Sequence, residues 1–156
     1  MSPAAALRVG VLSDTHDLLR PEVEAALSGV DAIVHAGDVG VGSILDALEA
    51  IAPVTAVRGN CDVDGRAGAL PSLLNTAIGG VRFLVTHRRV DLPPILPPDV
   101  RVVVTGHSHR YHSQVADGVL ALNPGSASQN RGHGRSLAIV TIAGDGSVSV
   151  TRIDLP

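Results

Sequence analysis

The sequence contains no lysine and almost no cysteine or aromatic residues. All twelve basic residues are arginine, and the chain has one Cys, one Phe, one Tyr and no Trp. The absence of lysine excludes catalysis by a lysine Schiff base or by a P-loop lysine. The single cysteine, Cys61, excludes an internal disulfide and a cysteine-rich zinc site. The scarcity of aromatic rings argues against stacking platforms for single-stranded nucleic acid.

Charge and hydropathy exclude further classes of protein. The formal net charge is -3 and charged residues make up 17% of the 156 residues, so we expect no broad basic surface that binds nucleic acid. No stretch approaches the roughly 18 apolar residues of a membrane span, and the N-terminus lacks the apolar run of a signal peptide. We therefore expect one globular domain over residues 1–156 that is cytoplasmic and has no membrane partner. The sequence leaves open whether the chain forms a homo-oligomer.

The first half of the chain alternates predicted strands with predicted helices. The strands are expected at 7–12, 32–35 and 54–57, and the helices at 21–27, with Pro in the first turn, and after Ser43 as the capping residue. The order β-α-β-α-β with short links predicts a largely parallel sheet.

The second half of the chain is dominated by strands joined by glycine-containing turns. Gly79-Gly80, Asp117-Gly118 and Gly144-Asp145-Gly146 each separate two apolar stretches, which predicts three hairpins. A proline-rich segment, DLPPILPPD, precedes a further strand at 101–105. We therefore expect an α/β fold of two packed sheets with helices on their outer faces.

Polar residues follow the predicted strands at the points where those strands end. They are Asp14, His16, Asp38, Asn60, His87, His107 and His109. Ligands bind at the carboxyl ends of strands in open α/β sheets, so these side chains can converge. His107 and His109, in the tetrapeptide GHSH, would point to one side if the segment stays extended. Taken alone, the tetrapeptide is equally compatible with a polar loop that happens to hold two histidines.

The chemistry of these side chains suits divalent cations. Carboxylate, imidazole and amide oxygen are ligands for Mn, Fe, Zn and similar metals. A carboxylate can bridge two cations, and Asp38 is the candidate because it has no adjacent partner ligand. Two cations about 3.5–4 Å apart could hold a water between them, lower its pKa and present hydroxide to a phosphorus atom.

Five motifs in a fixed order give the chain a family resemblance. They are Asp14-Thr15-His16, Gly37-Asp38, Gly59-Asn60-Cys61-Asp62, Thr86-His87 and Gly106-His107-Ser108-His109. The series resembles the calcineurin-like metallophosphoesterases, and above all their small bacterial and archaeal phosphodiesterase branch, which also has the Asn123-Pro124-Gly125-Ser126 segment. The resemblance covers residues 8 to 152.

The resemblance implies a four-layer αββα sandwich with a dinuclear metal site. One metal would take Asp14, His16, Asp38 and His109, and the other would take Asp38, Asn60, His87 and His107. We expect two divalent ions, Mn²⁺ first, with Fe, Zn or Ni as alternatives. The implied function is a phosphoesterase that acts on a phosphate ester, expected to be a diester, through in-line attack by a bridging hydroxide. In that function Asp14, Asp38, Asn60 and His87 organise the nucleophile. The alternative is a catalytically quiet scaffold that uses the same fold to bind protein.

The sequence departs from the family pattern beside two of the motifs. Arg88 and Arg89 stand where the family usually has glycine and, commonly, histidine. Arg88 could bind a substrate phosphate together with Asn60, because guanidinium groups suit bidentate contacts; a solvated pair of arginines at the start of a loop is the other interpretation. Cys61 occupies the position of a histidine that is a candidate proton donor in the family's protein phosphatases. We expect this cysteine to be a small buried hydrophobe.

Three other polar residues have simpler expected roles. His35 lies inside a strand and is expected to be a satisfied core histidine. Asp62 neighbours a predicted ligand and could orient an imidazole or a water. Asn123 could either bond near the site or shape a turn.

Overall fold

The computed structural model describes residues 6–156, so the first five residues of the predicted 1–156 domain lie outside it. In chain order the elements are β1 (Leu7–Leu12), α1 (Pro21–Ala26), β2 (Ala32–His35), α2 (Ser43–Glu49), β3 (Val54–Ala56), α3 (Gly65–Gly68), β4 (Leu73–Ile78), β5 (Val81–Thr86), a 3-10 turn (Arg89–Asp91), β6 (Val100–Val104), β7 (Tyr111–Ala116), β8 (Val119–Pro124), β9 (Arg135–Ile142) and β10 (Val148–Leu155). No helix within residues 6–156 is long and apolar enough to cross a membrane.

The strands form two five-stranded sheets. The first has the order β10-β9-β1-β2-β3, in which β1, β2 and β3 are parallel, as predicted. The second has the order β4-β5-β6-β8-β7, with a parallel centre formed by β5, β6 and β8. This arrangement confirms the predicted α/β sandwich of two packed sheets.

Alternating side chains explain why the two sheets pack face to face. Val9 and Val11 of β1 share one buried cluster with Phe83 of β5 and Val102 of β6. The residue between two inward-facing valines points to the opposite side of its sheet. On the outer side of the first sheet, α1 and α2 bury their apolar faces, to which Leu48 belongs.

The predicted hairpin turns form with the positive φ angles that glycine adopts readily. Both residues of Gly79-Gly80 and of Asp117-Gly118 have positive φ, which tight two-residue hairpin turns demand.

One prediction at a helix end is wrong. Ser43 is the first residue of α2 and not its cap, because the preceding Gly42 already has helical backbone angles.

The outer face of the second sheet is covered sparsely. The chain between β5 and β6 forms only the 3-10 turn and a proline-rich loop, in which prolines interrupt any longer helix. Leu92 of this segment packs against Leu84, Val100 and Val103 on the outer face. The rim of the sheet beside the strand ends is therefore open.

Candidate metal centre

Loops from both sheets bring all seven predicted ligand residues into one region. Asp14, His16 and His109 form a first group in which potential ligand atoms all lie within 4.8 Å of one another. Oδ1 of Asp14 is 3.3 Å from Nε2 of His109 and 3.5 Å from Nε2 of His16. The loops after β1 and β6 thus meet across the interface between the sheets.

The loops after β2, β3, β5 and β6 carry a second group of potential ligands. Potential ligand atoms of Asp38, His87 and His107 lie within 4.8 Å of one another. Oδ1 of Asn60 is 3.1 Å from Nδ1 of His107, so the amide oxygen belongs to the same group.

Asp38 connects the two groups. Its Oδ2 atom is 3.2 Å from Nε2 of His87 and 3.7 Å from Nε2 of His16. Its Oδ1 atom accepts a hydrogen bond from the backbone N–H of Cys61. Asp38 therefore touches both groups and is held by a third loop.

Buried polar atoms in the region fit a cation. Oδ1 of Asp14 and Nε2 of His87 are buried and have no hydrogen-bond partner within residues 6–156. An unpaired buried polar atom is costly, and a coordinated cation would satisfy both atoms. Nδ1 of His87 lies 2.7 Å from the carbonyl oxygen of Ala36, to which it donates, and this leaves the Nε2 lone pair aimed into the centre.

The backbone is strained at five of these seven residues. Positive φ angles occur at Asp14 (57°), His16 (46°), Asp38 (54°), His107 (72°) and His109 (61°). Left-handed conformations are uncommon outside glycine, cost about 1–3 kcal/mol each, and cluster at functional sites. The GHSH segment does not stay extended. β6 ends at Val104, and the backbone of both histidines is left-handed. The two imidazoles consequently enter different groups.

Asp62 ties two of the ligand loops together. Its carboxylate accepts hydrogen bonds from the backbone N–H groups of Val39 (3.1 Å), Gly40 (3.0 Å) and Gly59 (2.9 Å). No imidazole of the described residues is among its hydrogen-bond partners. Asp62 instead fixes the loop after β2 against the loop after β3.

The end of β8 and the loop that follows it support the ligand loops after β6 and β1. Nδ2 of Asn123 donates to the carbonyl of Gly106 and to Oγ of Ser108, both at 3.0 Å. The hydroxyls of Ser126 and Ser128 donate to the carbonyl of Asp14 at 2.9 and 3.0 Å. Sequence reasoning missed the two serines, although the Asn-Pro-Gly-Ser segment that contains Ser126 was a signal for them.

Close packing explains two of the glycines in the motifs. A Cβ atom at Gly59 would collide with Oδ1 of Asp38, and one at Gly106 would collide with Oγ of Ser13. Only a residue without a side chain lets the backbone approach the carboxylates at these points.

The carboxylates and histidines influence each other's charge. Burial works to raise the pKa of Asp38, but contacts with His87 and the Cys61 N–H outweigh it and hold the pKa below its ordinary value. The pKa of Asp14 is likewise lowered, because its contacts with His16 and Ser13 overcome burial. The contact with Asp14 raises the pKa of His16. The centre therefore keeps two anionic carboxylates, as cation binding requires.

Cys61 lies at the rim of the centre. It is exposed, and its Sγ atom is within 4.8 Å of potential ligand atoms of His16 and Asp38. The expectation of a buried hydrophobe is wrong, because the turn after β3 carries the side chain outward. Partial desolvation and the charge of Asp38 raise the pKa of the thiol, which keeps it neutral at neutral pH.

His35 is a satisfied core histidine, as expected. The N–H of Gly37 donates to its Nδ1 atom at 3.1 Å, so Nε2 carries the proton and donates to Oγ1 of Thr15 at 3.0 Å. Burial lowers the pKa of His35 to about 4.

Arg88 borders a pocket of about 240 Å³ beside the second group. Asn60, His87 and Arg58 also line this pocket. The Nε and Nη2 atoms of Arg88 donate to the carboxylate of Asp91 at 3.0 and 3.3 Å, which fixes the guanidinium at the pocket wall.

Comparisons with known proteins agree with this geometry. The family model described as calcineurin-like phosphoesterase superfamily domain matches residues 7–145. A probable metallophosphoesterase of Methanocaldococcus jannaschii is 35% identical over 137 residues, covering 79% of this chain and 69% of the relative. A phosphodiesterase of the same organism is 25% identical over 141 residues, covering 76% and 83%. Vacuolar protein sorting 29 from Cryptosporidium parvum superposes with a TM-score of 0.75 at 20% identity, covering 96% and 97%, which shows a shared fold.

Proposed function

Because this chain belongs to the calcineurin-like phosphoesterase superfamily, we propose that it is a metal-dependent phosphodiesterase with a dinuclear centre. The position of Asp38 carries the proposal. One carboxylate oxygen approaches a histidine of each group, which is the placement that a bridging ligand needs. The unpaired buried atoms of Asp14 and His87 support the same conclusion.

In this proposal each cation has four protein ligands. One cation is held by Asp14, His16, Asp38 and His109, and the other by Asp38, Asn60, His87 and His107. When bound, two such cations would neutralise phosphate charge and lower the pKa of a water between them. The oxygen and nitrogen donors suit Mn²⁺, and also Fe, Zn or Ni.

The chain itself positions the substrate. Asn60 and Arg88 lie at the pocket next to the second group, so we assign them contacts with the phosphate oxygens. Asp91 holds the guanidinium through two hydrogen bonds, which reduces the conformational freedom that Arg88 would lose on binding. Asp14, Asp38, Asn60 and His87 keep the nucleophile in line with the phosphorus atom.

One observation supports a preference for diesters, and a second concerns the leaving group. One relative is named a phosphodiesterase. The neutral thiol of Cys61 is a weak acid where a proton donor could otherwise assist the leaving group. Esters whose leaving group needs little protonation are therefore the expected substrates.

The test is a substrate panel measured with metal-loaded protein. We expect Mn²⁺-loaded protein to hydrolyse bis(p-nitrophenyl) phosphate faster than p-nitrophenyl phosphate. Faster hydrolysis of the monoester would contradict the diester assignment. Two bound metals per chain without turnover of any ester would instead favour the protein-binding scaffold.

A further inference from the structure

A groove runs from the metal centre along the outer face of the second sheet. One pocket of about 380 Å³ touches His107 and Arg88, and a second of about 400 Å³ lies further along the sheet. The two pockets have four wall residues in common, which are Arg89, Thr105, His112 and Asn123. They are therefore neighbouring parts of one depression, here called the outer groove.

The sequence of the second sheet makes the groove apolar. In β6 and β8 the side chains of Val103, Val119 and Ala121 point to the outer face and line the groove. The loop before β6 stands beside this surface and contributes Leu92 and Leu96 as a wall. The only helical element in this loop is the 3-10 turn. The loop therefore leaves the outer face of β8 and β7, which lie next to β6 in the sheet, uncovered.

The apolar side chains that line the groove are all aliphatic, and they are concentrated in its second pocket. Among the described residues, no Phe, Tyr or Trp side chain lines either pocket; the imidazoles of His107 and His112 are the aromatic rings that do, and both line the first pocket, at the end of the groove next to the metal centre. Both Nδ2 hydrogens of Asn123 are used within the protein, by Gly106 and Ser108, and Oδ1 accepts from the N–H of Gly125. A flexible hydrocarbon chain fits such a surface better than a base with polar edges.

The charged end of the groove adjoins the proposed phosphate site. Arg88 lines both the pocket beside Asn60 and His87 and the first pocket of the groove. A diester whose phosphate lies at the centre can thus direct one of its two ester groups into the groove. Small-molecule sites commonly combine mostly apolar walls with a few polar groups that fix orientation.

We propose that the outer groove binds an aliphatic arm of the substrate, a phosphodiester in which one ester group is a long alkyl chain. The proposal rests on the proposed phosphodiesterase function and names its substrate class.

The test compares two diesters with the same leaving group. These are methyl p-nitrophenyl phosphate and octyl p-nitrophenyl phosphate, both hydrolysed by Mn²⁺-loaded protein. Burial of a methylene is worth at most about fourfold in affinity, so KM for the octyl ester should be lower by about tenfold or more. The kcat should change little, because binding of the arm is the same in the ground and transition states.

A matched pair of variants locates the effect. Leu96→Ser removes part of the groove wall, whereas Ile95→Ser changes a neighbouring residue that does not line the groove. Leu96 is 37% exposed and Ile95 is 86% exposed, so both variants should fold. Leu96→Ser should raise KM for the octyl ester roughly threefold and leave the methyl ester unchanged; Ile95→Ser should change neither.

Methyl NMR of metal-free protein gives a readout without hydrolysis. Octyl methyl phosphate should shift the methyl resonances of Leu92, Leu96, Val103 and Val119, and dimethyl phosphate should not. Equal KM values for both esters without methyl shifts would overturn the groove but leave the phosphodiesterase function standing. Hydrolysis of neither ester would overturn the proposed function itself.

Two other occupants of the groove would also overturn the proposal. A lower KM for the thymidine 5′-p-nitrophenyl diester than for the octyl ester would assign the groove to a nucleoside. Concentration-dependent broadening of the same methyl resonances without ligand would assign it to a second copy of the chain.

Discussion

Oδ2 of Asp38 lies 3.2 Å from Nε2 of His87, although Asp38 follows a strand of the first sheet and His87 follows a strand of the second. The contact places a carboxylate at the junction of the two sheets. The same oxygen also approaches His16, so the geometry of the centre depends on how the sheets pack and not on either sheet alone.

Asp38→Ala should abolish binding of both metals. The substitution removes the only proposed bridge and leaves two nearby cations without a shared anion. Metal content per chain and hydrolysis of bis(p-nitrophenyl) phosphate measure the effect, and activity should fall by about 10²-fold or more, since removal of even an outer-shell partner typically costs 10–100-fold. Asp14→Ala should weaken mainly one site, and the exposed Asp46→Ala variant serves as a control. Loss of a single metal by Asp38→Ala with near-normal activity would show that Asp38 is not a bridge.

Asp62→Ala should loosen the centre without removing a ligand. Three backbone N–H groups lose their acceptor, which we expect to lower the free energy of unfolding by about 2–3 kcal/mol. Metal affinity should fall by about tenfold, because the loops that carry Asp38 and Asn60 are no longer fixed to each other. Urea unfolding and metal titration measure the two effects.

Asp64→Ala is the matched control for that experiment. Asp64 is exposed and its side chain makes no capping hydrogen bond, so its loss should change stability by less than about 0.5 kcal/mol. Equal effects of the two substitutions would show that Asp62 does not hold the loops.

His35 should make the metal-free protein less stable in acid. Its pKa is about 4 in the folded protein against 6.5 as the ordinary value, so the unfolded chain binds the extra proton first. The stabilisation is fully present above pH 6.5 and is lost as the pH falls through 6.5 towards 4. The loss is on the order of 3 kcal/mol. Protonation of Nδ1 would also oppose the N–H of Gly37.

Urea unfolding of wild type and His35→Gln between pH 7 and 4.5 measures this contribution. His16 and His87 have raised pKa values in the metal-free protein and contribute with the opposite sign. Taking the difference between wild type and variant cancels their effect, and that difference should shrink as the pH falls. A His35 ring that titrates near pH 6.5 by NMR would contradict the assignment.

Cys61→His should supply a proton donor at the rim of the centre. A positioned general acid is typically worth about 10²–10⁴-fold, and we expect the low end or less because the new imidazole is not optimised. The gain should appear with poor leaving groups and be nearly absent for p-nitrophenyl esters. A plot of log rate against leaving-group pKa for wild type, Cys61→His and the control Cys61→Ala measures it. A flat wild-type slope with chemistry rate-limiting would show that another residue already donates the proton.

The strands and the convergence of the polar residues could be predicted from sequence. Apolar stretches such as 7–12 give the strands, and parallel strands bring their carboxyl ends to one edge, so residues like Asp14 and Asp38 must meet. These features depend on local patterns and on a general rule of sheet topology.

Other features depend on pairing between distant loops, which local patterns do not contain. Asp62 accepts hydrogen bonds from loops after two different strands, and its neighbours in the sequence give no sign of this. The left-handed backbone at His107 and His109 arises where the GHSH loop is held by Asn123. The exposure of Cys61 likewise follows from the turn that places the backbone N–H of Cys61 on Asp38.

The most direct test of the dinuclear phosphodiesterase is a titration of metal-free protein with Mn²⁺, followed by the initial rate of bis(p-nitrophenyl) phosphate hydrolysis and the bound metal per chain. We predict that the rate rises mainly with the second equivalent and reaches its maximum at two Mn²⁺ per chain. A full rate at one equivalent, or no hydrolysis at two, would contradict the account.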